Sequence, residues 1–192
     1  MYATFYNNLF WGFFLAFFDL RISGISITPD FVGFIIIYNA LDKLAQQHDN
    51  YNKAKPFALI LIFLSLPNTF ELHNQNLLTN PIANQNLFLI LLSQIQMIMS
   101  ILLIYYICGA VSALANSNGL AHLHNESHNL WLVFLATSAA ILLTTPFTLT
   151  ILLGNNTPLI ILYIILLLVH IAFLFFLRHA QRQLGESLYP GI

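Results

Sequence analysis

Charge is so scarce in this chain that its outer surface cannot resemble that of a water-soluble protein. Six basic and seven acidic residues serve 192 positions, where a soluble domain carries about 25% charged residues. Hydrophobic residues make up 58% of the sequence. A fold built from such a chain must turn most of its outside toward hydrocarbon. The expected fold class is therefore all-α: one integral membrane domain over residues 1–192, a polytopic transmembrane helical bundle of about six spans, with five as the alternative count.

The remaining composition excludes several functions. A formal net charge of −1 gives no footprint for nucleic acid. The single cysteine, Cys108, rules out an internal disulfide and a multi-cysteine metal site. There is no internal repeat and no Gly-rich phosphate loop, so no cofactor is expected. The opening residues lack a basic stretch and a small-residue cleavage site before Asp19, and read as a retained span.

The spans follow in order. Segment one, about 5–20, is dense in Phe and carries Trp11. It reaches only about 24 Å as a helix, so Asp19 is expected near a membrane edge. A polar interruption, Asp19 to Asp30, leads to segment two at 29–45. There Thr28 is a suitable N-cap, Pro29 suits the first helical position, and Asp30 complements the positive helix end. Gln46 to Lys55 reads as a polar loop. Segment three, 56–70, is expected to kink or end at Pro67. Glu71 to Gln85 is an Asn-rich loop. Segment four, 86–115, is long enough to tilt or protrude, and carries a polar stripe of Ser93, Gln96, Ser100, Cys108 and Ser112. Asn116 to Asn129 reads as a soluble loop rich in histidine. Segment five, 130–153, opens at Trp131, and its threonines are placed to satisfy the carbonyl freed by Pro146. Segment six covers 158–182.

Lys43, Lys53, Lys55, Arg178 and Arg182 then share one side of the membrane with both termini, leaving Arg21 alone on the other. By the positive-inside rule that shared side is cytoplasmic, in a cell membrane.

Three constellations are candidates for chemistry. Asp19, Arg21 and Asp30 form either a structural clamp between two helix ends or a site for a polar ligand. His122, His124, Glu126 and His128 alternate, so in an extended loop they share a side and suit a zinc-like ion; a plain solvated loop is the alternative. Asn39, Gln96, Tyr163 and His170 fall at mid-depth and are expected to face the bundle interior, as buried packing groups or as a solute pocket.

Phe18-Asp19-Leu20-Arg21, followed by Ile27-Thr28-Pro29-Asp30-Phe31-Val32-Gly33-Phe34-Ile35, resembles the signature of uncharacterised small multi-pass membrane proteins of Gram-positive bacteria. Those carry a Phe-Asp-apolar-polar turn followed by Pro-Asp-Phe-apolar-Gly-aromatic. The resemblance covers about residues 10–45, marks Asp19, Pro29, Asp30 and Gly33, and implies no activity. Where family members have an acidic residue shortly before Pro-Asp, this chain has Ser26 and Thr28. In size and topology the chain is also similar to the substrate-capturing subunits of energy-coupling-factor vitamin transporters. Their first-helix Ala-x-x-x-Ala motif is absent; in segment five Ala136 and Ala140 show that spacing.

The leading expectation is a transport or transport-associated subunit for a small solute, working beside a separate ATPase or an ion gradient. A structural or regulatory protein that binds another membrane protein is the second. An intramembrane enzyme is the third, and no nucleophile–base pair supports it.

Overall fold

The structure, a computed structural model, describes residues 2–18, 21–22, 25–26, 30–70, 87–151 and 157–186. It contains six helices: α1 (Tyr2–Phe17), α2 (Asp30–Leu44), α3 (Asp49–Phe70), α4 (Leu87–Ser117), α5 (Ala121–Ile151) and α6 (Thr157–Glu186). Between α1 and α2 lies a minimal antiparallel hairpin, β1 (Arg21–Ile22) and β2 (Ile25–Ser26), with Arg21 opposite Ser26 and Ile22 opposite Ile25. A chain break between Asp19 and Asp30 was expected, and the hairpin supplies it.

Two stretches read as loops are helical. Helix α3 starts at Asp49, before the expected Pro56. The His48 Nδ1 accepts a hydrogen bond from the Asn50 N–H at 3.1 Å, which caps the helix start. Asp49 sits in the positive first turn and pairs with Lys53 at 2.8 Å, one turn on. The Lys53 hydrogen bond, and then its charge, hold the Asp49 carboxyl below the usual carboxylate range. Polar residues here are cap and outer face, not loop. Pro56 and Pro67 fall inside the helix, which does not end until Phe70. At Pro56 the missing N–H would have reached the Asn52 carbonyl, and both residues are exposed to solvent.

Helix α5 starts at Ala121, so most of the expected histidine loop is its first turns. The link from α4 is very short. Gly119 adopts φ 72°, a left-handed conformation that favours glycine. Around it the Leu120 N–H bonds to the Ala115 carbonyl at 2.8 Å and the Gly119 N–H to the Asn116 carbonyl at 3.2 Å. This pair of bonds closes a helix end in a Schellman motif.

The six helices form a closed ring. Each packs against its neighbours in sequence, α6 returns to α1, and α4 and α6 touch lightly across the middle. Successive helices run antiparallel. One end of the ring gathers the starts of α1, α3 and α5 with the ends of α2, α4 and α6. There Gly185 meets Ala3, and an added Cβ at Gly185 would lie 2.8 Å from the Ala3 Cα. This end also carries nearly all the described charge: Asp42, Lys43, Asp49, Lys53, Lys55, Glu126, Arg178 and Arg182. We call it the charged end, and the opposite one the hairpin end.

The core is tightest at the charged half. Tyr6, Leu9, Phe13, Ile37, Leu41, Tyr51, Leu103, Ile107, Phe173 and Phe176 are all buried. Inside it the Tyr51 hydroxyl donates to the Tyr6 hydroxyl at 2.8 Å, which in turn donates to Gln47 Oε1 at 3.2 Å. Arg178 ties α6 to α1, donating to Asn7 Oδ1 at 3.0 Å and lying 4.0 Å from the Phe10 ring centroid. Lys55 reaches Asp42 at 2.7 Å and ties α3 to α2. Helices α1 and α2 meet through glycine: a Cβ on Gly33 would lie 2.6 Å from the Gly12 carbonyl oxygen and 2.7 Å from the Ala16 nitrogen.

The outside is apolar. Phe175, Leu143 and Phe63 are 72%, 69% and 64% exposed. Among the described residues three helical stretches are long and apolar enough to cross a membrane: Ile90–Ser117, Ala121–Thr145 and Ile160–Gly185. That is fewer than the six expected. Helices α1 and α2 have only 16 and 15 residues, and α3 begins with charged turns.

Candidate functional site

A cavity of about 250 Å³ lies within the ring toward the hairpin end. Its walls come from five helices. Phe17 is the last residue of α1, Phe34 lies in the early turns of α2, Ser93, Gln96 and Ser100 lie on α4, Phe134 and Ser138 on α5, and Tyr163 and His170 on α6. Gln94, Met97, Ala16 and Leu166 complete the lining. In liquid terms the space is that of roughly eight water molecules.

Helical periodicity explains why these side chains converge. Ser93, Gln96 and Ser100 recur at spacings of three and four, so they share one face of α4. Tyr163 and His170 are seven apart on α6 and share another. The stripe expected on segment four divides in two. Its upper part lines the cavity, while Cys108 and Ser112 face α5, where the Ser127 hydroxyl donates to the Cys108 carbonyl at 2.7 Å and Ser112 Oγ bonds His124 Nδ1 at 2.9 Å. That lower part is packing.

Most hydroxyls in the spans bond back to their own helix, as expected where no water competes. Ser93 donates to the Ile90 carbonyl, Ser100 to Gln96, Thr137 to Val133 and Thr144 to Ala140. Thr145 donates to the Ile141 carbonyl at 2.7 Å, one residue before the Leu142 carbonyl that Pro146 frees. Ser138 differs. It is fully buried, lines the cavity, and its Oγ has no hydrogen-bond partner among the described residues.

His170 is held rigidly. Its Nδ1–H donates to the Leu166 carbonyl at 2.7 Å. That fixes the tautomer and leaves the lone pair on Nε2. The Phe17 ring packs edge-on with centroids 3.9 Å apart, and Phe134 packs at 5.5 Å. The site thus joins a hydroxyl, an imidazole acceptor, an amide and a phenol to aromatic walls. None of its described lining residues is formally charged. Such a set orients a small uncharged molecule through a few hydrogen bonds and ring contacts.

The candidates from sequence fare differently. Gln96, Tyr163 and His170 do meet in the cavity. Asn39 does not: it is exposed on the outside of α2, because Gly33, Ile37 and Ala40 take the inward face. Mid-depth alone does not say which way a helix is rotated. Ser138 was missed because it sits in a run of small and hydroxyl residues with no distinguishing spacing. Asp19 and the side chain of Arg21 lie outside the described residues. Asp30 is half-buried in the first turn of α2.

The four alternating residues His122, His124, Glu126 and His128 do not converge. On a helix, residues two apart point to different sides. His124 turns to Ser112 on α4, His128 is exposed, and His122 and Glu126 share a face. The third member of that group is His179 of α6, whose Nδ1 lies 2.7 Å from Glu126 Oε2. No sequence spacing links residues 126 and 179; only the α5–α6 pairing does.

No known protein family matches the sequence, and no curated protein or solved structure does.

Proposed function

We propose that this chain is a six-span membrane protein that captures a small, uncharged, ring-bearing solute within its helix ring, as a transport or transport-associated subunit. The observation that carries this reading is Ser138. An unpaired buried hydroxyl costs about 1–3 kcal/mol, and Ser138 lies in the wall of a cavity that already holds an imidazole acceptor and aromatic rings, its Oγ closed to a water-sized probe until the lining gives. A ligand that bonds to it removes that cost.

Six spans are supported by the outer surface. Every helix exposes a large apolar side chain: Trp11, Ile35, Phe63, Ile95, Leu143 and Phe175 in turn. Helices α1 and α2 are short, but the ring closes them against longer partners at the same depth, where local thinning accommodates them. The charged end collects Lys43, Lys53, Lys55, Arg178 and Arg182, which supports placing that end and both termini in the cytoplasm. The cavity then lies toward the outer face. The chain supplies no energy source, so uptake needs a separate ATPase or an ion gradient.

The test is ligand retention and binding. Protein purified in mild detergent from its own membrane is examined by native mass spectrometry, then titrated with neutral heteroaromatic probes such as nicotinamide and uracil. A bound small molecule, or a saturable probe, is expected. Ser138→Ala should weaken that binding about tenfold while leaving thermal stability unchanged or higher, since it removes an unpaired buried group. A wild-type chain that retains nothing and binds no probe would defeat the reading, as would a Ser138→Ala variant with undiminished affinity.

A further inference from the structure

A second cluster lies away from the cavity, at the charged end. His122 and Glu126 stand one turn apart on α5, and His179 approaches from α6. One donor atom from each lies within 4.8 Å of the other two. Glu126 Oε2 is 3.7 Å from His122 Nδ1 and 2.7 Å from His179 Nδ1. Donors bound to a tetrahedral ion at about 2.1 Å stand roughly 3.4 Å apart, so the two separations bracket that spacing. We propose that His122, Glu126 and His179 bind a divalent transition-metal ion of the zinc type.

Five features favour an ion over a simple ion pair. Two imidazoles turn toward one carboxylate, with ring centroids 5.7 Å apart. His122 is 82% exposed in its side chain and gains little there as a surface pair. Two imidazoles and one carboxylate are the donor set that borderline divalent metals take, and three protein donors leave a coordination position open. His122 and Glu126 line the polar mouth of a groove of about 610 Å³ between α5 and α6, with Asn125 and Asn129 beside them. That open position has room for water or a further ligand.

Gln183 supplies the fifth feature. Its Nε2 lies 2.7 Å from His179 Nε2, and its buried Oε1 has no hydrogen-bond partner among the described residues. In the metal-free arrangement His179 Nδ1–H donates to Glu126, and Nε2 accepts from the Gln183 amide. When Nδ1 binds the ion, its proton moves to Nε2. A half-turn of the Gln183 amide then lets Oε1 accept that proton's hydrogen bond, and carries the NH2 group to the position that Oε1 held. Metal-bound imidazoles characteristically carry such an outer partner.

The experiment uses the full chain in detergent, without an affinity tag and stripped by a chelator. Zn²⁺ and Co²⁺ are titrated in competition with a chromophoric chelator, and the Co²⁺ visible spectrum reports coordination. One ion per chain is expected. His122→Ala and Glu126→Gln should each weaken binding by at least about tenfold, and Gln183→Leu by about tenfold. His124→Ala and His128→Ala should bind as the wild type does. Because His122 is exposed, its alanine variant tests the site without endangering the fold. Absence of a stoichiometric ion in the wild type overturns the assignment. So does wild-type affinity in His122→Ala, or loss of binding in His128→Ala.

Discussion

Tyr6 and Tyr51 show how one buried polar pair can be worth keeping in a core of Leu, Ile and Phe. Each hydroxyl has a partner, and the chain of bonds ends on Gln47 at the edge of the bundle. Tyr51→Phe removes the donor to Tyr6 and leaves the Tyr6 oxygen without it. We expect a loss of about 1–2 kcal/mol in detergent unfolding. Ser138→Ala should move stability the other way or not at all. The contrast separates a hydroxyl that holds the fold together from the one proposed to bond a ligand. Neither role is legible in the sequence, where Tyr51 sits among polar residues and Ser138 in a run of small and hydroxyl ones. Only the rotation of each helix about its axis decides which hydroxyl finds a neighbour.

Elements were more legible than their orientation. The long apolar runs of segments four, five and six announce α4, α5 and α6, because nothing but a helix satisfies so much backbone away from water. Their inner ends were also near right. The errors fell where polar residues were read as loop, at 49–55 and 121–129. Helices that leave the bilayer keep their hydrogen bonds and simply change the character of their side chains. The loop reading also misassigned the histidines, since period two and period 3.6 group different residues. The α1–α2 contact is a further case: Gly33 stood out in the sequence only by resemblance, and the structure gives it a physical reason. Gly33→Leu places a side chain where the Gly12 carbonyl and the Ala16 nitrogen already lie. It should separate the two helices and lower the yield of folded protein sharply, by more than any single surface substitution on the same helix. Yield and thermal stability in detergent read this directly.

At the scale of the whole molecule, the proposed orientation in a bilayer rests on the separation of a charged end from an apolar belt. The single cysteine makes that testable. Cys108 is buried, so a membrane-impermeant maleimide should ignore the wild-type chain. Gln46→Cys and Asn118→Cys, both at exposed turns of the charged end, should label only from the cytoplasmic side. If one labels from each side, the six-span arrangement is wrong. The ring has one more consequence, for how the chain is made. Five of its seams join helices adjacent in sequence and are available as synthesis proceeds, but the sixth joins α6 to α1. Until α6 arrives, the earliest helix offers its Asn7 and Ala3 seam to whatever lies beside it in the membrane. A ribosome stalled before residue 160 would therefore leave an open crescent with an unpaired edge, a ready target for membrane chaperones and quality-control proteases.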